Sequence, residues 1–140
     1  MAEKQDLIDG LNGHAPHFIR MLGGRIVDID LEAISCIFEF TISKDFCHTI
    51  DIVQGGFITA MLDAAMSHAI FAHDQTISAV SSLEIKTTYL EPTRAGILTV
   101  EGRVIKASYK TAFFEGRILN ADGVLTATAS SVAKLGRAEK

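Results

Sequence analysis

From Phe57 to Ala72 the chain carries Ala, Met, Leu, Ile or Phe at most positions, and neither proline nor glycine interrupts it. That composition favours one continuous helix. Apolar residues fall on more than one of its faces, so the helix has to be buried on most sides. Its few polar residues, Thr59, Asp63 and Ser67, recur every fourth position and share a stripe with Gly55. This stripe is either a solvent-facing edge or a site.

On either side of the helix the pattern changes to alternation. Arg25–Asp30 and Ala33–Ile42 read as two strands around a turn near Leu31-Glu32, with Ile34, Cys36, Phe38 and Phe40 alternating with Ser35, Ile37, Glu39 and Thr41. Past the helix, Ser78–Leu90, Gly96–Ala107, Thr111–Asn120 and Val124–Leu135 read as four more strands. Turn signals at Glu91-Pro92-Thr93, Ala107–Lys110 and Asn120–Gly123 separate them. Thr, Ala and Ser occupy both faces of Val124–Val132, which suggests a sheet covered on both sides or paired with another chain. Two short helical patterns within residues 3–22, split by Gly10, Gly13 and Pro16, lead in, and Ser43–Gln54 reads as a loop running straight into the helix. The order predicts an α+β fold, an antiparallel sheet of about six strands wrapped around one long helix.

Composition narrows the function. At 140 residues the chain fits a single domain spanning 1–140, and 48% hydrophobic with 21% charged residues describes a globular chain. A net charge of −4 disfavours general nucleic-acid binding. Cys36 and Cys47 are the only two thiols and form no metal-type motif, so a reduced, cytoplasmic setting is expected. The first residues lack the apolar core of a signal peptide. Asp63 and its polar neighbours shorten the apolar run of the central helix below the ~18 residues of a membrane span. His68 and His73 are five positions apart and share no helix face, so they do not read as a metal pair, and no metal or cofactor is expected.

Val53-Gln-Gly-Gly56 followed by Ala60-Met-Leu-Asp-Ala-Ala65, together with Ser82-Leu-Glu-Ile-Lys-Thr-Thr-Tyr-Leu-Glu-Pro92, resembles the hotdog fold and, within it, the PaaI-like acyl-CoA thioesterases. The likeness extends over roughly residues 20–135. It implies an acyl-CoA substrate, a homodimer or a dimer of dimers, and an acid at Asp63 with a hydroxyl at Ser82. A His usually precedes the diglycine in this family, where Gln54 stands here, and an Asn usually occupies the position of His48.

Thioester hydrolysis needs a polarised carbonyl and an attacking oxygen. Gly55 or Gly56 suits the first need, because a helix start offers free backbone N–H groups and glycine admits close approach. Asp63 suits the second, as general base or as direct nucleophile, with Ser82 positioning the water. His48 and Gln54 are candidates for contacting the thioester or holding the loop; a His, unlike an Asn, can change charge near neutral pH. The resemblance further implies nucleotide contacts at Lys106, Ser108, Lys110 and Thr111, with Arg94 at the turn after Pro92. Phe57, Met61 and Met66 are the expected apolar lining for the acyl group.

Gly55 and Asp63 lie on one stripe but about 12 Å apart along the helix axis, too far to flank one thioester carbon. If both serve one reaction, two copies of the chain must each supply one of them. Simpler readings stand beside these: a solvated Asp63, a diglycine that merely permits close packing, a plain strand hydroxyl at Ser82, and core methionines. A non-catalytic acyl-CoA-binding protein is the main functional rival, and a hotdog dehydratase or hydratase is a third.

Overall fold

A helix that is apolar on most sides has to be surrounded, and in the computed structural model, which describes residues 2–138, a curved sheet does so. The chain runs α1 (Ala2–Gly13), α2 (His17–Met21), β1 (Gly24–Asp30), β2 (Ser35–Ile42), a 3₁₀ turn (Lys44–Phe46), β3 (Cys47–Thr49) and β4 (Ile52–Val53). It continues through α3 (Gly55–His73), β5 (Ile77–Tyr89), β6 (Gly96–Ala107), β7 (Thr111–Leu119) and β8 (Leu125–Arg137). Six strands form one antiparallel sheet in the order β1-β2-β6-β7-β8-β5, and β3 pairs with β4 as a separate ribbon. Of the expected 1–140 domain, Met1, Glu139 and Lys140 lie outside the described residues.

Alternation along each strand sends one set of side chains to α3. Phe38 and Phe40 of β2, Leu98 and Val100 of β6, Phe114 and Ile118 of β7, and Ala127 and Ala133 of β8 are buried beneath it. On the other face Glu101 pairs with Arg117 and Arg103 with Glu115. One rung crosses the whole sheet as Ile29, Cys36, Gly102, Gly116, Ala129 and Thr87. Small residues at its centre let α3 come close, and a Cβ at Gly102 would fall inside the Ala65–Met66 backbone. By length and hydropathy α3 resembles a membrane span, but 56% of that window is buried inside the fold, where it forms the core.

Three sequence expectations change locally. Gly10 lies within α1 and does not split it, so the break falls at Gly13–Pro16. Asn12 then exchanges two hydrogen bonds with Ile26 (2.7 and 3.0 Å), docking α1 on the outer strand β1. Strand β2 begins at Ser35 because Ile34 adopts a left-handed φ of 54°, in a turn where the Asp30 carboxylate accepts the N–H groups of Glu32 and Ala33. The 43–54 loop contains the β3–β4 ribbon, which is tied to the 93–95 segment by backbone hydrogen bonds from the Val53 N–H to the Thr93 carbonyl and from the Ala95 N–H to the Asp51 carbonyl.

Candidate active site

Gln54 caps α3 with its own side chain. Its Oε1 accepts the Gly56 N–H at 2.7 Å, while its carbonyl accepts the N–H groups of Phe57 and Ile58. Those bonds use up all but one of the free donors of the first turn. Among the described residues the Gly55 N–H has no acceptor.

From that end the polar stripe of α3 runs against β5. The Tyr89 hydroxyl donates to the Gly55 carbonyl at 3.0 Å and lies 3.3 Å from the Thr59 hydroxyl. The Thr59 and Thr87 hydroxyls are 2.8 Å apart, and the Ser82 hydroxyl donates to the Asp63 carboxylate at 2.9 Å. Four helix residues rise about 6 Å and two strand residues about 6.7 Å, so an i+4 stripe and alternate strand positions stay in step. Alternation from Tyr89 and Thr87 through Ile85 would next present Leu83. A bulge between Ser82 and Glu84 leaves Leu83 exposed and turns Ser82 to the helix instead. The stripe is therefore a polar seam along the open edge of the sheet.

A cavity of about 590 Å³ opens at the start of α3, lined by His48, Gln54, Gly55, Gly56, Tyr89 and Pro92 among others. His48 is exposed at its mouth, with Nδ1 2.8 Å from the Thr49 hydroxyl. Asp63 and Ser82 do not line it. The chain thus brings Gly55, Gly56, Gln54 and His48 together at one place, and Asp63 with Ser82 at another, two helical turns away.

The remaining predicted residues are dispersed. Phe57 sets its ring against Phe46, with centroids 4.9 Å apart. Met61 and Met66 are fully buried in the core, so within this chain they pack the sheet and do not line the cavity. Arg94 is paired with Asp51 at 2.7 Å and holds the β3–β4 ribbon. Lys106, Ser108 and Lys110 are exposed around the β6–β7 turn, and Ser108 donates to the carbonyl of Thr111. Beside that turn Arg137 stacks over Tyr109 at 4.2 Å and pairs with Asp74, the residue closing α3. The turn therefore sits near the C-terminal end of α3, and a 19-residue helix places that end about 28 Å from Gly55.

Two features of the environment bear on the chemistry. His68, one turn beyond Asp63, donates from Nδ1 to the Ala64 carbonyl at 2.8 Å; burial pushes its pKa down, against the opposing pull of that carbonyl and of the Asp63 charge. Cys36 is buried, which raises its thiol pKa to about 12 and makes it unreactive. Sequence reasoning missed Tyr89 as part of the site. Its one available signal was a position on the strand predicted to follow the helix, and which face of that strand meets Gly55 depends on register.

Residues 51–127 match the family described as the thioesterase superfamily. A phenylacetic acid degradation-related protein of Ralstonia eutropha JMP134 has a similar structure, with a TM-score of 0.82 and 29% identity over 91% of this chain and 98% of that one. The PaaI protein of E. coli (TM-score 0.81, 17% identity, 98% and 95% coverage) and a thioesterase of Haemophilus influenzae (0.83, 17%, 93% and 90%) share the fold. A curated protein of Saccharolobus solfataricus, provisionally named an esterase, is 28% identical over 101 residues, covering 72% of this chain and 71% of that protein.

Proposed function

The chain belongs to the thioesterase superfamily and has the hotdog fold, and from that premise we propose that it hydrolyses acyl-CoA thioesters with water at a site shared between two copies of itself. One observation carries this reading. On a single helix, an unpaired backbone N–H at Gly55 faces a cavity, while the hydroxyl-bound carboxylate Asp63 lies outside it. A second chain with its helix antiparallel supplies Asp63 to the Gly55 of the first. The same arrangement brings the partner's β6–β7 turn, with Lys106, Ser108 and Lys110, toward that cavity, where the phosphates of coenzyme A need cations.

The steps follow from these groups. The Gly55 N–H donates to the thioester carbonyl oxygen, aided by the positive end of α3, and the Nε2 of Gln54 is a second donor because its Oε1 is already anchored. The carboxylate of Asp63 takes a proton from a water held by Ser82, and the water oxygen bonds to the carbonyl carbon. Negative charge collects on the carbonyl oxygen. As it returns, the carbon–sulfur bond breaks, and the departing thiolate takes the proton back from Asp63, leaving a free acid and a thiol. The open, largely exposed edge of β5 is the surface along which two copies would join. Both cysteines are free, which suits a reducing cytoplasmic setting.

Gln54 and His48, where relatives usually carry His and Asn, favour the second reading of a protein that binds acyl-CoA without turnover. Release of free thiol from a panel of acetyl-, hexanoyl-, palmitoyl- and phenylacetyl-CoA separates the two. Hydrolysis of any member, abolished in Asp63→Ala, supports the thioesterase; binding without thiol release, unchanged by that substitution, supports the binder.

A further inference from the structure

Two consecutive glycines are the most flexible way to begin a helix, whereas an oxyanion donor works only if its direction is set before the substrate arrives. Something has to hold Gly55 in place. The peptide on its N-terminal side is held because the Gln54 carbonyl accepts the N–H groups of Phe57 and Ile58 at 3.0 and 3.3 Å. The peptide on its C-terminal side is held at both ends: its carbonyl oxygen by the Tyr89 hydroxyl at 3.0 Å, its N–H by the Gln54 Oε1 at 2.7 Å.

The diglycine itself records this clamp. A Cβ on Gly55 would stand 2.9 Å from the Tyr89 hydroxyl oxygen and 3.1 Å from its ring. One on Gly56 would stand 2.8 Å from the Gln54 Oε1. A side chain at either glycine would displace one of the two groups that grip the peptide between them, Tyr89 at Gly55 and the Gln54 amide at Gly56, so close approach of a substrate is not the only reason for glycine here.

We propose that Tyr89 is a positioning residue for thioester cleavage: bonded to the Gly55 carbonyl, it and Gln54 hold the Gly55–Gly56 peptide so that the Gly55 N–H points into the cavity. Tyr89 does not touch the reacting atoms. Its hydroxyl fixes the ψ of Gly55 from outside the helix, from a strand that is itself tied to α3 by the Thr59–Thr87 contact. The inference rests on Gly55 being the oxyanion donor, and its test separates the two ideas.

The test compares the full-length protein with Tyr89→Phe, which keeps the ring and removes only the hydroxyl. Amide hydrogen exchange at Gly56 needs no turnover. Loss of the clamp should speed it about tenfold, the equivalent of one hydrogen bond, with little change in thermal midpoint. On the best acyl-CoA of the panel, kcat should fall about tenfold with KM within about twofold, less than the loss of a direct oxyanion donor. Unchanged Gly56 exchange overturns the proposal, as does unchanged kcat in a protein whose Asp63→Ala variant is inactive. If no acyl-CoA is hydrolysed, the shared-site reading fails while the exchange result still decides whether Tyr89 holds the peptide.

Discussion

The Ser82 hydroxyl donates to the Asp63 carboxylate at 2.9 Å across the seam between α3 and β5, and it can do so only because Leu83 is bulged out of the strand. Asp63→Asn, which keeps shape and volume, removes the base and should lower kcat by about 10²–10⁴. Ser82→Ala leaves the carboxylate in place and should cost less, about tenfold. Thiol release under single-turnover conditions checks both, and an Asp63→Asn protein with undiminished kcat would exclude the acid from the chemistry.

Subunit sharing has its own test. Gly55 is the first residue of α3, where the helix backbone admits proline; the substitution removes the N–H, and its Cβ also presses on the Tyr89 hydroxyl, so donor and support are disabled together. Gly55→Pro and Asp63→Ala chains should each be inactive, yet refolding them together in equal amounts should restore about a quarter of wild-type activity, because half of the dimers would carry one intact site. Activity that stays absent in the mixture would indicate a site built within one chain.

Gly102→Ala probes the packing that sets the depth of the helix. The added methyl group meets the backbone of Ala65 and Met66, which cannot swing aside as a side chain does. Either α3 lifts from the sheet or β6 moves, at a cost of about 3 kcal/mol or more. The thermal midpoint should drop by about 10 °C, read by circular dichroism. At Gly96 a Cβ finds open space, and glycine is needed there for a different reason, its backbone φ of 124°.

Acid should weaken the fold in two separate windows. Burial holds the His68 pKa below its ordinary 6.5, so the unfolded chain binds the proton first and stability declines as pH falls below that value. His68→Phe, which keeps an aromatic ring beside Phe38 and Phe71, should flatten that part of the profile. The Asp74 carboxyl is held at about 2, from an ordinary 3.8, first by the Thr76 hydroxyl and then by Arg137. Its contribution is complete above the ordinary value and disappears between about 4 and 2, so Asp74→Asn should be less stable at neutral pH and converge with wild type in strong acid. Midpoints of urea unfolding from pH 7 to 2 follow both.

Much of the fold was legible because its signals are local. The period of two marks Gly96–Ala107 with the same bounds as β6, and the lack of breakers marks α3 to within two residues of its observed start. Gly10 misled because a glycine weakens a helix without ending it, and α1 is also docked by Asn12. Met61 and Met66 could be named as acyl lining only because hydrophobicity does not say which side of a helix the sheet will cover; both sit in the core.

What the sequence determines by itself is the α+β order, the buried helix, and the stripe Gly55–Thr59–Asp63, since each follows from periodicity within one segment. Only the tertiary structure decides what that stripe meets. It inserts β6 between β2 and β7, uses a bulge to deliver Ser82 to Asp63, gives the Gly56 N–H to Gln54, and puts the Tyr89 hydroxyl on the Gly55 carbonyl. Shifting a strand by one residue reverses which side chains face the helix, and that choice is made by contacts between segments far apart in the chain.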